Sequence, residues 1–338
     1  MHMADAMVSP AVGGAMYVVS GLAAAYSIKK LRKEEDFKKK IPTMGVMGAF
    51  VFATQMVNFT IPGTGSSGHL CGGLLLSSIL GPYAGFLSMI GVLLIQCLFF
   101  ADGGLLALGG NVWNMAFYGC FIGSLIWKRI MKNGITKKKI VISSILGSVL
   151  TLQMGAFSVT LETLLSGVTE LPFATFLLAM QSIHLAIGFV EGLITAIVLC
   201  FIYEARPEIL WNSSQVESTT NTNRFSYKRT IAILTCLFVI IGGGISLFAS
   251  KNPDGLEWSM EKITGDTEIE TREKAIYETS QGIQEATSLL PDYTFKNVET
   301  PIGTSVSRMI GCGITVAFLV GLGYVVKLKR KKEIITNE

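Results

Sequence analysis

The feature that most constrains this chain is a series of long apolar stretches, each close to the length that crosses a lipid bilayer. About 20 apolar residues in a helix span the hydrocarbon core, and such stretches recur along most of the sequence. Half of the 338 residues are hydrophobic and only 15% are charged, which lies outside the usual composition of soluble domains. We therefore predict an all-α, polytopic membrane helical bundle of about seven helices, followed by a C-terminal two-helix hairpin with an extracytoplasmic loop.

The apolar pattern places nine helical spans. They lie near residues 10–28, 42–60, 69–82, 84–101, 105–127, 140–159, 173–203, 229–249 and 305–326. The third span is short and ends at Gly81 and Pro82, so the third and fourth spans are either separate crossings or one broken, re-entrant pair. Six cysteines are scattered singly through the spans, without the close spacing of a disulfide framework or a zinc site.

Lysine and arginine residues indicate the orientation of the spans, because short cytoplasmic loops retain positive charge. Residues 29–40 carry seven basic residues, residues 128–139 carry six, and residues 327–332 carry five. The alternate loops share the opposite character, with no Lys or Arg: 60–69, 102–110 and 159–172. The pattern predicts a cytoplasmic C-terminus and an N-terminus that faces outside.

A polar stretch divides the chain into two units. Residues 206–228 are rich in Ser, Thr and Asn and lack apolar periodicity, which predicts a cytoplasmic linker. Residues 1–205 are then the bundle, and residues 229–338 are the hairpin. Within the hairpin, residues 250–304 carry eleven acidic and five basic residues, which predicts either a small helical cap outside the membrane or a partly disordered segment.

The opening residues, MHMADAMVSP, offer an unusual set of nitrogen donors. They contain no Lys or Arg and so lack the basic start of a secretory signal. His2 is also too large for the usual removal of Met1, so we expect a free terminal amine. That amine, the backbone nitrogen of His2 and the imidazole of His2 can close around one ion in fused five- and six-membered chelate rings. An all-nitrogen tetragonal set suits Ni(II) or Cu(II), and imidazole also serves Co(II).

The sequence contains two further histidines, His69 and His184. Ionisable residues at or within the membrane are costly and usually face a site or a pathway. His69 lies in GTGSSGHL and is the candidate for a fourth nitrogen ligand; the other interpretation is an exposed histidine in a flexible loop. Nearby glycines allow the backbone to approach closely there: Gly63, Gly65, Gly68 and Gly72.

The seventh span carries polar residues on one face. In QSIHLAIGFVEGLITA, the spacing of Gln181, His184, Gly188 and Glu191 puts them on the same side of a helix. Such a face cannot point at lipid, so it either packs against other helices or lines the ion route. We favour packing or support of the ligands over direct ligation, because the nitrogen set is complete without it.

Three more polar residues are candidates for roles around the site. Asn111 and Asn114, in GGNVWNMAFYG, have side-chain amides that either hold the N-terminal segment or cap a helix. Asp5 either orients an imidazole by accepting its N–H or lies at the surface.

Five motifs in a fixed order carry a resemblance to a known family. They are MHMADAMVSPAVG at the N-terminus, GTGSSGHLCGG, NVWNM, HLAIGFVEGLIT, and PDGLEW at 253–258. The first four, within residues 1–205, resemble the NikM/CbiM family, the substrate-binding (S) components of energy-coupling-factor (ECF) importers for nickel and cobalt. PDGLEW, just after a membrane helix, resembles the small NikN/CbiN-type partner, which here would be fused to the S component.

The resemblance implies a metal site made by the amine of Met1, the backbone nitrogen and imidazole of His2, and the imidazole of His69. It also implies a prokaryotic cell membrane, a transmembrane coupling subunit and cytoplasmic ABC ATPases as partners, and Ni(II) or Co(II) as the bound substrate. The chain itself would then be no enzyme, with no catalytic cofactor and no nucleic-acid partner. In agreement, the sequence contains no G-x-x-x-x-G-K-[ST] phosphate loop.

Two other functions remain open. One is an intramembrane metalloenzyme that uses His184 and Glu191 as ligand and general base, although the sequence has no HExxH motif and no second histidine at helical spacing. The other is a stand-alone secondary metal transporter, for which inverted repeats are typical; we see none.

Overall fold

Helices make up most of the chain. The structure, a computed structural model, describes residues 1–212, 225–267, 274–293, 295 and 301–336. The α-helices in chain order are α1 (Pro10–Leu31), α2 (Phe37–Gln55), α3 (Gly73–Leu80), α4 (Pro82–Phe100), α5 (Leu108–Asn111), α6 (Gly123–Ile130), α7 (Lys137–Ser166), α8 (Phe173–Ala205), α9 (Tyr227–Gly243), α10 (Gly255–Thr264), α11 (Lys274–Thr287) and α12 (Pro301–Thr336). A π-helical segment, Val112–Ile122, joins α5 to α6. Short 3-10 turns are Asp5–Met7, Met131–Asn133, Pro207–Ile209, Ile245–Phe248 and Pro291–Tyr293.

Six helical stretches in the described part are long and apolar enough to cross a membrane. They are Pro10–Leu31, Pro82–Phe100, Lys137–Ser166, Phe173–Ala205, Tyr227–Phe248 and Ser305–Leu328. The first four belong to the predicted bundle and the last two to the predicted hairpin. The prediction of an all-α, multi-pass membrane protein is therefore confirmed.

The second predicted span ends earlier than the apolar pattern suggested. α2 stops at Gln55, and Phe59–Ile61 instead forms strand β1, which pairs antiparallel with strand β2, Ser66–Gly68. Gly63 and Gly65 lie in the connecting turn, and each has a φ of 77°. Positive φ is cheap for glycine, so the turn chemistry of this loop overrides the apolar run and folds the chain into a small hairpin.

The third predicted span is only half a membrane helix. α3 begins at Gly73, after His69, and its eight residues are all buried. At 1.5 Å per residue it is about 12 Å long, much shorter than the roughly 30 Å of a hydrocarbon core, so residues 69–82 do not form a full helical crossing. Gly81, with a φ of 84°, breaks the chain between α3 and α4. The alternative of a broken pair describes this region better.

Close backbone contacts hold the long helices together. At Gly192 on α8, a Cβ atom would lie 2.6 Å from Ile145 Cα on α7, and at Gly188 it would lie 3.0 Å from Val149 Cα. Small residues at a spacing of four let membrane helices approach closely. Gly48 does the same for α2 against α12, where a Cβ would overlap the side chain of Leu319. The hairpin is thus packed on the bundle.

The predicted linker and loop are described only in part. Residues 213–224 of the linker at 206–228 lie outside the described residues, as do 268–273, 294 and 296–300 of the segment at 250–304. The described part of that segment contains α10 and α11 and is therefore largely helical.

Candidate metal-binding site

The N-terminal segment lies inside the bundle. Met3 is fully buried, and its backbone N–H donates to Asn111 Oδ1 at 2.7 Å while its carbonyl accepts from Asn111 Nδ2 at 3.1 Å. The Gly104 N–H donates to the same carbonyl at 2.9 Å. A side-chain amide that pairs with both backbone groups of one residue substitutes for a neighbouring strand and fixes the depth of the segment. Asn111 therefore holds the N-terminus rather than capping a helix through its side chain.

The terminal amine and His69 meet at the end of this segment. The Met1 nitrogen lies 3.3 Å from His69 Nε2, although 68 positions separate the two residues in the chain. The Met1 amine also donates to Asp254 Oδ2 at 2.8 Å, and the same oxygen lies 3.8 Å from His69 Nε2. The side chain of His69 is only 9% exposed. Three potential metal donors therefore surround one point at the junction of the two units.

His2 lies beside these groups, but its imidazole has other partners. The ring stacks on that of His69 with centroids 5.4 Å apart. Nδ1 of His2 is 3.3 Å from Asp102 Oδ1, and Nε2 is 3.3 Å from Gln96 Oε1. Tyr293, from the hairpin unit, donates its hydroxyl to the other oxygen of Asp102. Nδ1 of His2, the nitrogen that would close a chelate ring with the backbone, therefore faces the Asp102 carboxylate.

The loop that carries His69 is fixed by side chains from two helices. Glu191 on α8 accepts the Cys71 N–H at 2.8 Å with one carboxylate oxygen and the Gly72 N–H at 3.0 Å with the other. Gln55 at the end of α2 donates to the Cys71 carbonyl at 2.8 Å. Buried non-helical backbone needs such partners, because an unpaired N–H or C=O in an apolar environment costs free energy. These bonds set the position of His69.

The other polar residues on α8 also have structural partners. His184 Nδ1 is 2.8 Å from the Met180 carbonyl one turn earlier. Gln181 and Gln153 on α7 exchange hydrogen bonds, each donating its amide to the backbone carbonyl of the other at 3.0 and 2.8 Å. On the predicted polar face of α8, Gln181 therefore takes part in helix packing, whereas Glu191 supports the His69 loop.

Asn114 and Asp5 lie farther from the terminal amine. Asn114 donates to Glu162 Oε2 at 2.9 Å and contacts the sulfur of Met3 at 3.6 Å. Asp5 accepts the Ala107 N–H at 3.1 Å and the hydroxyl of Ser280. The expectation that Asp5 orients an imidazole is therefore wrong: loop and helix contacts of the N-terminal segment use its carboxylate, and the acid beside His2 is Asp102.

Burial disfavours the charged form of both imidazoles of the site. It lowers the pKa of His2 by more than the nearby Asp102 carboxylate raises it. Burial, then the positive charge of the terminal amine and then His2, lower the pKa of His69 to about 3. For Asp254, burial works in the opposite direction, but the terminal amine and His69 outweigh it and hold the pKa below the usual range. The site therefore presents imidazole lone pairs and an ionised carboxylate together.

An open cavity of about 1250 Å³ lies against the site. Its lining includes His2, His69, Asp102, Asp254 and Glu257. Among the described residues, no group of three or more His, Cys, Asp or Glu side chains is arranged to hold a metal by itself.

Sequence reasoning missed three residues that touch the site. Gln96 is a buried amide within the apolar helix α4, and this polarity was a usable signal. Asp102 and Asp254 lie outside the spanning helices, where no periodic pattern links them to residues 1 and 2. Their proximity is a product of the tertiary fold.

Comparison with known proteins agrees with this architecture. Residues 2–209 match CbiM, the cobalt uptake substrate-specific transmembrane region, and residues 228–328 match the PDGLE domain. A putative fused nickel transport protein NikMN from Archaeoglobus fulgidus is 32% identical and covers 94% of this chain and 96% of its own. A probable fused nickel transport protein LarMN from Lactiplantibacillus plantarum is 30% identical and covers 78% of this chain and 79% of its own.

A solved structure, a crystal structure of a truncated transition metal transporter, has the same bundle fold. Its TM-score is 0.54 at 32% sequence identity, covering 60% of this chain and 99% of the solved one. This match covers most of the bundle and agrees with the helical architecture of the bundle. The chain therefore belongs to the CbiM family, the cobalt uptake substrate-specific transmembrane region, and carries a PDGLE domain in the same polypeptide.

Proposed function

We propose that this protein is the substrate-binding membrane subunit of an ATP-driven ECF-type importer that captures Ni(II) from outside the cell and delivers it inward. The ligands are the Met1 amine, the backbone nitrogen and imidazole of His2, and the imidazole of His69. Co(II) is the second substrate that this donor set accepts. Metal transport itself is what the family and the fused relatives share.

The observation that carries the proposal is the 3.3 Å approach of the Met1 nitrogen to His69 Nε2. Two nitrogen donors bound to one metal at about 2.0 to 2.1 Å each are separated by about 3 Å when they are adjacent in the coordination sphere. A chain terminus that is buried, held by Asn111 and aimed at an imidazole is a costly arrangement, since the ordering of each residue loses conformational entropy. A ligand role for the amine supplies a reason for it.

Capture then requires one local rearrangement at His2. Its Nδ1 exchanges the Asp102 carboxylate, now 3.3 Å away, for the metal. The Met1 ammonium, which now donates to Asp254, and the backbone nitrogen of His2 each release one proton to solvent when they coordinate. The stacking of His2 on His69 keeps both imidazoles in the same small volume throughout.

Nickel is supported over cobalt by the two-unit organisation. The fused relatives from Archaeoglobus fulgidus and Lactiplantibacillus plantarum, which match both units, are named as nickel transport proteins. A square arrangement of nitrogens, as the N-terminal chelate offers, is also typical of Ni(II).

The direction of transport follows from the distribution of charge. The Lys-rich stretch at 29–40 ends in the first turn of α2 and approaches the C-terminal end of α3, where Lys40 donates to the Leu80 carbonyl at 3.1 Å. The amine site lies at the opposite, N-terminal end of α3. Because basic loops remain cytoplasmic, we assign the site to the outer side of a prokaryotic cell membrane. A coupling subunit and ABC ATPases on the inner side supply the energy, since this sequence contains no phosphate loop.

A single added residue tests the proposal. An Ala inserted before Met1 moves the amine away from His69, so nickel binding to the tag-free chain, measured by titration calorimetry, is expected to be lost while the circular dichroism spectrum is retained. A matched control inserts the same Ala within residues 213–224, far along the chain from the amine. Unchanged nickel affinity of the first variant would contradict the proposal. Vesicle uptake with and without the ATPases separates the importer from a stand-alone secondary transporter.

A further inference from the structure

The PDGLE domain reaches into the metal site with one side chain. Asp254 is the N-cap of α10, and its Oδ1 accepts the N–H groups of Leu256 and Glu257 at 2.7 and 2.9 Å. Its other oxygen, Oδ2, takes no part in the cap and instead accepts the Met1 amine at 2.8 Å. The two carboxylate oxygens therefore have separate tasks, one in the helix and one in the site.

The position of Oδ2 fits the coordination sphere of a metal ion. The Met1 nitrogen lies 3.3 Å from His69 Nε2 and 2.8 Å from Asp254 Oδ2, and the last two atoms are 3.8 Å apart. A triangle with these sides has a point about 2 Å from all three corners, which is the length of a metal bond to nitrogen or carboxylate oxygen. Within that triangle the Asp254 oxygen and the His69 nitrogen lie farthest apart. Because the His2 backbone nitrogen, the middle donor of the chelate, takes the corner opposite His69, the Asp254 oxygen would bind as a fifth ligand outside the plane of the four nitrogens.

We propose that Asp254 supplies an oxygen ligand to the transported metal, so that the site is completed by the PDGLE domain and contains a carboxylate in addition to its nitrogens. This inference rests on the proposed function of Met1 and His69. The carboxylate is already ionised and aimed at the amine, whereas the His2 imidazole is held by Asp102. An arriving metal therefore meets the amine, the His69 imidazole and the Asp254 carboxylate together.

The backbone around Asp254 packs on the small β1–β2 hairpin that precedes His69. The Ser67 N–H donates to the Pro253 carbonyl at 2.8 Å, and the Trp258 indole donates to the Thr64 carbonyl at 3.0 Å. A Cβ at Gly255 would lie 3.0 Å from His184 Cε1, so the start of α10 fits closely against α8. These contacts lock the carboxylate at the site, and they give His184 a role in docking rather than in ligation.

The nearest control for Asp254 is Glu257. It stands three positions later in the same helix, lines the same cavity and carries the same charge. Its carboxylate accepts the Asp254 N–H at 2.9 Å, and the described contacts do not bring it to the amine or to His69. A general effect of negative charge would appear in both residues, whereas ligation appears only at Asp254.

The first experiment compares Asp254→Asn with Glu257→Gln in the full chain. Asn is as good an N-cap as Asp, and its amide oxygen replaces Oδ1, so the substitution removes only the Oδ2 ligand. We expect Ni(II) affinity, measured by calorimetry, to fall at least tenfold for Asp254→Asn and less than threefold for Glu257→Gln. Equal effects of the two variants, or no effect of Asp254→Asn, would overturn the inference.

The second experiment separates ligation from positioning of the amine. A thiolate bound to Co(II) gives a charge-transfer absorption in the near ultraviolet, so Asp254→Cys is expected to show this band on addition of Co(II). His69→Cys is the positive control, because the proposed function requires a ligand there. A band for His69→Cys alone overturns the role of Asp254 and leaves the proposed function intact. If the wild-type chain bound neither Ni(II) nor Co(II), the proposed function itself would be refuted.

Discussion

The His69 loop and the polar face of α8 both bury ionisable groups inside a membrane bundle, yet they use them in opposite ways. Around His69, the Met1 amine, the imidazole and a carboxylate converge on one point. Along α8, both carboxylate oxygens of Glu191 accept backbone N–H groups, and the Gln181 amide donates to a backbone carbonyl on α7. The His69 region keeps lone pairs available for a ligand, whereas the polar groups along α8 are occupied by hydrogen bonds within the fold.

This difference shows that polarity inside a span is a poor guide to ligation by itself. Burial demands hydrogen-bond partners from every polar group, so a polar face on a helix is satisfied most simply by neighbouring backbone. A ligand site needs the reverse, a donor held by other contacts with one atom left over. His69 meets that requirement, since the neighbouring backbone is fixed by Glu191 and Gln55.

The largest contrast is expected between two histidine variants. His69→Ala removes a proposed ligand, so nickel affinity should fall by more than the roughly 10- to 100-fold that loss of an outer partner costs. His184→Ala removes a group bonded to the Met180 carbonyl and should cost less than about tenfold. Calorimetric titration of both variants measures the difference. The opposite ranking would move the site onto α8.

Glu191→Gln should produce a mixed effect on stability and binding. A glutamine can accept only one of the two N–H groups, so its NH₂ is turned toward the other one. An unsatisfied buried group costs about 1 to 3 kcal/mol, which thermal denaturation of the metal-free protein in detergent would reveal. Because the same bonds position the His69 loop, nickel affinity should also fall by about 10- to 100-fold. If stability falls while affinity is unchanged, the loop does not depend on these bonds.

Much of this contrast was open to sequence reasoning, but not all of it. Apolar length predicted the spans, and the shared helix face predicted that Glu191 turns inward. The donor nitrogens of Met1 and His2 can likewise be recognised from the first two residues, without knowledge of the fold. Composition misled where local turn chemistry overrides it, as in the hairpin at 59–68 and the half-helix after His69.

The carboxylates around the site were beyond reach for a different reason. Asp102 and Asp254 approach residues 1 and 2 only through long-range packing, with 253 positions between Met1 and Asp254. No periodicity reports a contact of that kind. Asp5, which is close in sequence, was the natural choice of acid, and the structure turns it to Ala107 and Ser280 instead.

The dependence of stability on pH should also distinguish the site. The folded-state pKa of His69 is about 3, well below the unperturbed value of about 6.5. Between these values the unfolded chain binds a proton that the folded chain does not, so stability falls as the pH falls, by at most about 1.4 kcal/mol per pH unit. The metal-free His69→Gln variant should lose less stability than the wild type between pH 7 and pH 5, as measured by thermal denaturation. His2, whose pKa shifts in the same direction, leaves a residual slope. Parallel curves for the two proteins would contradict the neutral state of His69.

The smallest effect is expected at the end of the polar face farthest from the loop. Gln181→Leu removes the hydrogen bond from the Gln181 amide to the Gln153 carbonyl on α7 and keeps the bond from the Gln153 amide to the backbone of residue 181. Such bonds in membrane bundles average about 0.6 kcal/mol. Nickel affinity should remain within about twofold of the wild type, since neither amide contacts the amine, His69 or the residues that support it. The double variant Gln153→Leu with Gln181→Leu also removes the bond from the Gln153 amide to the backbone carbonyl of residue 181 and should lose about 0.6 kcal/mol more than the single one. A large loss of nickel affinity in Gln181→Leu would show that the α8 face is coupled to the site along its whole length, and the division between a ligand region and a packing region would no longer hold.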